Sequence, residues 1–134
     1  MVPLTLIIGK DSNLSNELSK TLSDPFFLIS ARDLLTNVNI LSNFKNAKKN
    51  IIFNNFYPSA KLNDFEGYEA YLSQSILTTS IVLDYFRGTE INKIIYTSSS
   101  AVYGNNSQCS EGDDPVPLSF HSAIKISNEK LVER

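Results

Sequence analysis

The chain has 134 residues, 42% of them hydrophobic, which is enough for one domain with a buried core. Its formal net charge of −2, without a large basic cluster, argues against nucleic acid or an anionic membrane as a partner. The single cysteine, Cys109, excludes an internal disulfide. Because no apolar run approaches the roughly 20 residues of a membrane span and no signal peptide is recognisable, we expect a cytoplasmic protein.

The N-terminal part of the chain alternates an apolar run with a helical pattern. Leu4–Ile8 is continuously apolar and ends at Gly9, which is typical of a strand buried on both faces. Leu14, Leu18 and Leu22 then recur every fourth residue. This spacing predicts a helix with one apolar stripe.

The next part predicts two more strands, Phe26–Ile29 and residues 51–53, which are again short apolar runs. Between them the pattern is ambiguous from residue 33 to 49, and only a short helix over 41–47 is expected. Three basic residues lie around the end of that helix, and we interpret them as a solvated helix end: Lys45, Lys48 and Lys49.

Residues 71–86 form the strongest helical pattern in the chain. Two apolar faces predict that this helix packs on the sheet and also on something else, for which a second subunit and a loop of the same chain are equal alternatives. The first face consists of Leu72, Ile76, Leu83 and Phe86, and the second of Leu77, Ile81 and Tyr85.

A strand over 94–97 and a helix from about Ser119 complete the pattern. Strands that alternate with helices favour βαβ units and a parallel α/β sheet. We expect residues 1–134 to form a single domain that stops within its last helix, because no capping signal follows Val132.

The turn after the first strand is the first candidate site. Backbone N–H groups at a helix start after a strand can hold a dinucleotide pyrophosphate. Gly9 suits the tight turn, whereas Ser12 and Ser15 stand where glycine would allow a closer approach. With Asn13 and Leu14 they form a candidate phosphate-binding set, and the alternative is a capped helix start without a ligand.

Two further candidates lie in the last third of the chain. Residues 97–104 place hydroxyl groups at a strand end, where they could bind a substrate oxygen, although serine-rich loops are common without that role. His121 and Lys125 are four residues apart and share one helix face. A neighbouring Lys⁺ disfavours imidazolium, so His121 is a candidate acid or base, and the alternative is a histidine that only packs.

These segments together resemble the extended short-chain dehydrogenase/reductase family, in its NAD-dependent epimerase/dehydratase branch. Residues 93–104 are close to a family signature, and the resemblance is most specific over 94–134. The spacing from that signature to a later group of residues also fits: Pro115, Pro117, Ser119, Lys125, Asn128, Glu129 and Lys130.

The resemblance implies a Rossmann-like doubly wound parallel sheet, here without the family's substrate domain. It implies hydride transfer at a sugar carbon of a nucleotide-sugar substrate, with NAD or NADP as cofactor and no metal. It assigns Ser99 as the catalytic serine, and Lys125 as the residue that binds the nicotinamide ribose and activates a tyrosine. His121 stands where that tyrosine is expected.

The sequence also departs from the family pattern. Asn54, Asn55, Phe56 and Tyr57 stand at the end of the third strand, where small alanines commonly let the cofactor approach, and Asn55 and Phe56 are the candidate cofactor contacts there. Ser75 replaces an asparagine of the long helix. For the adenosine ribose, Ser30 with Arg32 would suit NADP, whereas Asp33 would suit NAD. Both alternatives stay open.

Three hypotheses result: an active enzyme, a catalytically impaired member that serves in binding or assembly, and a fragment of a longer enzyme. A homodimer through the long helix and the last helix is an expectation of the first two. All of them rest on one geometric prediction, which is that Gly9, Ser99, His121 and Lys125 meet at one edge of the sheet.

Overall fold

Four parallel strands form one sheet in the computed structural model, which describes residues 2–55, 67–98 and 120–133. The order across the sheet is β2-β1-β3-β4, and the strands lie within one residue of the predicted positions except at two N-terminal ends, which begin two or three residues earlier. The strands are β1 (Leu4–Ile8), β2 (Phe26–Ile29), β3 (Lys49–Phe53) and β4 (Ile91–Tyr96).

Helices connect these strands. The crossovers from β1 to β2 and from β2 to β3 run in opposite directions, so right-handed connections place the first helix on one face of the sheet and the second on the other. Within the described part of the chain, no helix has the length and apolarity to cross a bilayer. The helices are α1 (Asn13–Ser19), α2 (Ala31–Thr36), a 3₁₀ helix (Val38–Phe44), α3 (Gly67–Leu72), a π segment (Ser73–Leu77), α4 (Thr78–Tyr85) and α5 (Phe120–Val132).

The main core lies on the face of the sheet that α2, the 3₁₀ helix and α4 cover. Burying each of its large apolar side chains contributes roughly 1.5–3 kcal/mol. Alternate strand residues point into it, as the two-residue period of a strand requires. Its fully buried members are Leu6, Ile8, Leu34, Leu41, Ile51, Phe53, Val82 and Phe86.

The predicted leucine stripe of α1 is only partly formed. The helix ends at Ser19, so Leu22 lies beyond it, and Leu14 is 38% exposed. Ser15 is instead the fully buried residue of this helix. The leucine spacing therefore predicted the wrong inward face for α1, because the residue buried against the sheet is a serine.

The long helix contains a π segment that changes which residues face inward. One extra residue in a turn rotates the rest of the helix by about 100°, so the predicted apolar faces do not continue through it. Leu72 and Leu77 are exposed, whereas Phe86 is buried as predicted. The other inward residues are mostly polar: Tyr71, Ser75, Thr78, Thr79 and Val82.

The segment before β3 also differs from the prediction. The helix expected over 41–47 is a 3₁₀ helix that ends at Phe44. Lys49 is not a solvated residue but is fully buried at the start of β3. Its Nζ lies 3.2 Å from Thr89 Oγ1 and 3.3 Å from the Glu90 carbonyl oxygen, so hydrogen bonds compensate its buried charge. Burial lowers the pKa of Lys49 while Glu90 opposes this shift.

Gly9 allows the backbones of β1 and β3 to approach each other. Its φ of +113° is unfavourable for any residue with a side chain. A Cβ atom here would lie 2.6 Å from the Asn54 carbonyl carbon and 2.9 Å from the Asn55 amide nitrogen. Only glycine fits where the turn crosses the end of β3.

Gly9→Ala is expected to lower the free energy of unfolding by about 3 kcal/mol or more, because backbone strain adds to a clash with rigid backbone. Gly88→Ala is the matched control, since Gly88 also has a positive φ (+77°) but nothing within 4 Å of its Cβ position. It should lose only about 1–2 kcal/mol. Urea denaturation measures both, and equal losses would show that the turn relaxes away from β3.

Candidate functional site

The candidate site lies at the C-terminal edge of the sheet, where the strand order reverses between β1 and β3. Ligands of doubly wound α/β proteins bind at such a switch point. The backbone amides of Gly9 and Lys10 both donate to the Ile29 carbonyl oxygen, at 2.8 and 3.2 Å. The turn is thereby fastened to the end of β2.

Serine hydroxyls occupy the start of α1. Ser12 is the N-cap, and its Oγ accepts a hydrogen bond from the Ser15 amide at 3.0 Å. The same Oγ donates to Ser15 Oγ at 2.8 Å. Asn54 Nδ2 donates to Ser15 Oγ at 3.2 Å. The buried Ser15 hydroxyl thus has two donors, and α1 packs on the end of β3 through polar contacts.

Asn54 continues this chain of hydrogen bonds toward the last helix. It is 1% exposed, and its Oδ1 accepts a hydrogen bond from Thr97 Oγ1. The carbonyl oxygen of Thr97 in turn accepts a hydrogen bond from Lys125 Nζ at 2.9 Å. Ser15 at the start of α1 and Lys125, far apart in sequence, are therefore joined by hydrogen bonds through two residues, Asn54 and Thr97.

Lys125 is more than nine-tenths buried, and its charge is poorly solvated. Burial lowers its pKa from 10.5 to about 8, with Glu129 opposing the shift. Its Nζ lies 5.3 Å from the centre of the Tyr96 ring. Glu129 also accepts a hydrogen bond from Ser98 Oγ. The ammonium group can donate to a ligand and can release its proton at mildly alkaline pH.

Tyr96, whose ring faces Lys125, and Tyr71, which lies close enough to Tyr96 to affect its pKa, do not replace the phenol that the family pattern expects. Burial raises the pKa of Tyr71 to about 12. Burial likewise raises the pKa of Tyr96, which a hydrogen bond with Asn128 only partly offsets. Both phenols therefore stay protonated near neutral pH and are poor general bases.

Asn55 attaches the end of β3 to the long helix. Its Nδ2 lies 2.9 Å from the Gln74 carbonyl oxygen, 3.0 Å from that of Ser75 and 3.0 Å from Thr79 Oγ1. Carbonyl groups that bond a side chain are diverted from the helix ladder, which accounts for the π segment here. The side-chain N–H groups of Asn55 therefore donate to acceptors within the protein. Its buried Oδ1 has no protein partner among the described residues.

The remaining predicted site residues lie at the start of α2, in α5 or outside the described residues. Ser30 caps α2, and its hydroxyl accepts a hydrogen bond from the Asp33 amide at 3.4 Å. It directly follows Ile29, whose carbonyl oxygen accepts from the Gly9 amide. Arg32 and Asp33 are exposed. His121 lies one helical turn before Lys125 in α5. Ser99, Phe56 and Cys109 lie outside the described residues.

The residues of this edge fit a dinucleotide in part. Gly9 makes the tight turn that brings the start of α1 against the end of β3, and Lys125 presents a buried donor. However, the Ser15 amide already donates its hydrogen bond to Ser12 Oγ, so it is not available to donate to a pyrophosphate. In the described part of the chain, His, Cys, Asp and Glu side chains form no group of three or more with the arrangement of a metal site.

The sheet order and the glycine turn at its switch point define a Rossmann-like α/β protein. The sequence profile described as the NAD dependent epimerase/dehydratase family matches residues 7–134. The chain belongs to that family, within the extended short-chain dehydrogenase/reductases. An uncharacterised protein of Methanocaldococcus jannaschii is 32% identical over 65 residues, which cover 46% of this chain and 20% of that protein.

Solved structures share the fold at low sequence identity. A UDP-glucuronic acid 4-epimerase of Bacillus cereus, in complex with NAD and a fluorinated UDP-glucuronic acid, has a TM-score of 0.80 and 18% identity over 97% of this chain and 51% of its own. A UDP-N-acetylglucosamine 4-epimerase of Methanobrevibacter ruminantium has a TM-score of 0.79 and 18% identity over 98% and 49%. The chain thus spans about half the length of these structures.

The buried charge of Lys125 predicts a pH-dependent stability. Between its folded pKa of about 8 and the ordinary 10.5, the unfolded chain binds more protons, so stability rises as pH increases through this window. From pH 7 to 10.5, wild type should gain about 2–3 kcal/mol relative to Lys125→Met. The exposed Lys130→Met on the same helix is the control and should parallel wild type. Parallel profiles for wild type and Lys125→Met would contradict the prediction.

Proposed function

We propose that this chain forms the NAD(P)-binding part of a nucleotide-sugar epimerase or dehydratase-type protein. The observation that carries the proposal is the buried ammonium of Lys125, which hydrogen bonds join to the Gly9 turn at the ligand-binding edge of the sheet. Family membership and the fold shared with an NAD-bound epimerase support this cofactor class.

Two parts of the cofactor have a candidate partner in the described residues. Lys125 would donate to the nicotinamide ribose, and the tight turn at Gly9 would set the first residues of α1, Asn13 and Leu14, beside the pyrophosphate. The cofactor, when bound, supplies a hydride acceptor for a sugar carbon. At the adenosine ribose, Asp33 would favour NAD, and Ser30 with Arg32 would favour NADP.

For catalysis, we assign Ser99 to polarise the substrate oxygen and His121 to act as general base beside Lys125. An imidazole is shorter than a phenol, and a displacement near 1 Å can lower a rate about a hundredfold. We therefore expect a slow enzyme whose substrate is a nucleotide sugar. His121→Tyr should increase the rate at which UDP-glucose passes hydride to NAD, which gives the ketosugar, NADH and a proton and is measured by the absorbance of NADH.

A second candidate is a non-catalytic binding or assembly module, and the serine cap of α1 favours it. The Ser12 hydroxyl satisfies the Ser15 amide without any ligand. A homodimer would fit this role, because Leu72 and Leu77 present exposed apolar side chains on the long helix. Analytical ultracentrifugation of wild type and Leu77→Glu tests the dimer. The dimer proposal requires that wild type sediment as a dimer and Leu77→Glu as a monomer.

Calorimetric titration with NAD tests the cofactor proposal. Lys125→Met should weaken binding about tenfold or more, since a hydrogen bond from a charged group contributes roughly 1.5–3 kcal/mol. Lys130→Met should bind like wild type, because Lys130 is exposed and pairs with Glu133. Wild type that binds neither NAD nor NADP would overturn the proposal.

Ser12→Gly is expected to tighten NAD binding about tenfold, because it frees the Ser15 amide for the pyrophosphate while glycine still serves as an N-cap. Ser19→Ala, which removes an exposed hydroxyl from the same helix, is the matched control. An unchanged or weaker affinity in Ser12→Gly would show that the serine cap does not compete with the cofactor.

A further inference from the structure

One buried side chain touches both halves of the candidate site. Asn54 follows β3, and its amide lies between α1 and the end of β4. The nitrogen donates to Ser15, and the oxygen accepts from Thr97. Ser15 is fully buried and Asn54 nearly so, so each group depends on the other for its hydrogen bonds.

Thr97 is the first residue beyond β4. Its amide still donates to the Phe53 carbonyl oxygen at 3.1 Å, but the regular ladder has ended there. The hydrogen bond from its hydroxyl to Asn54 therefore adds a second anchor to this residue. The carbonyl oxygen of Thr97 accepts the hydrogen bond from the Lys125 ammonium.

We propose that Asn54 is a positioning residue, which holds the Thr97 carbonyl group, and through it the Lys125 ammonium, at a fixed place relative to the Gly9 turn. The assignment to a ligand site rests on the proposed cofactor function. The positioning itself is a property of the free protein.

The test monitors Lys125 by NMR titration of ¹³C-labelled lysine in the free protein, with Lys125→Met to assign its signal. Asn54→Ala should loosen Thr97 and admit water to Nζ. The titration midpoint of Lys125 should then rise toward that of an ordinary lysine by at least about half a pH unit, or about threefold in proton affinity. Glu129 and the Tyr96 ring, which also face Lys125, stay in place.

Thr97→Val provides a second variant of nearly equal volume, which keeps the test decisive if Asn54→Ala does not fold. It should raise the midpoint by a similar amount. The double variant should show no further rise, because Asn54 acts through Thr97. A purely structural role would give additive shifts.

Asn92→Ala is the matched control, since its exposed amide donates to Asn50 on the same sheet at 2.8 Å, away from the site. Its Lys125 midpoint should equal that of wild type. An unchanged midpoint in Asn54→Ala and Thr97→Val would overturn the proposal.

Titration with NAD separates this proposal from the cofactor function. If wild type binds NAD, Asn54→Ala should bind it at least about threefold more weakly, and equal affinity would overturn the link to the ligand site. If wild type binds no NAD, the cofactor function fails, and the Lys125 midpoints still decide whether Asn54 positions the lysine.

Discussion

The close approach of the Gly9 backbone to the end of β3 determines the arrangement of this site. With a positive φ and no Cβ, Gly9 lets the chain turn directly over Asn54 and Asn55. The turn starts α1 beside β3, and this places Ser15 within reach of the Asn54 amide. A side chain at Gly9 would separate these elements and break the path to Lys125.

Hydrogen bonds between polar side chains hold α1 against the end of β3, where the family pattern has small residues. Glycine at Ser15 and alanine after β3 would pack closely without polar groups, whereas this chain buries a serine and an asparagine side chain that bond each other. Such a pair contributes only about 0.5–1.5 kcal/mol per hydrogen bond, but leaving one partner unsatisfied costs about 1–3 kcal/mol. The two residues are thus mutually dependent, and replacing either one alone would be unfavourable.

The strands were predictable because each contains a short apolar run, which is mostly buried in β1 and β3 and partly exposed in β2 and β4. The last helix and the positions of Gly9 and Lys125 could be inferred from spacing and from the family signature. The inward faces of α1 and the long helix were not predictable from hydrophobicity, because the hydroxyl groups of Ser15 and Thr79 and the backbone carbonyl of Ser75 accept hydrogen bonds from asparagines distant in sequence. The role of Asn54 was equally hidden, since no local pattern shows that its partners are Ser15 and Thr97.

Lys125 is the residue whose presence packing explains least. Its low pKa means that the folded protein holds the charged form at a disadvantage of about 2–3 kcal/mol at neutral pH. An apolar side chain of similar length would fill the space without that disadvantage. A buried group with a shifted pKa at the ligand edge of a sheet is a mark of functional sites. Since His121 stands where the family pattern has the phenol that such a lysine would activate, the proposed function uses Lys125 to bind the cofactor, with a ribose hydroxyl as the acceptor.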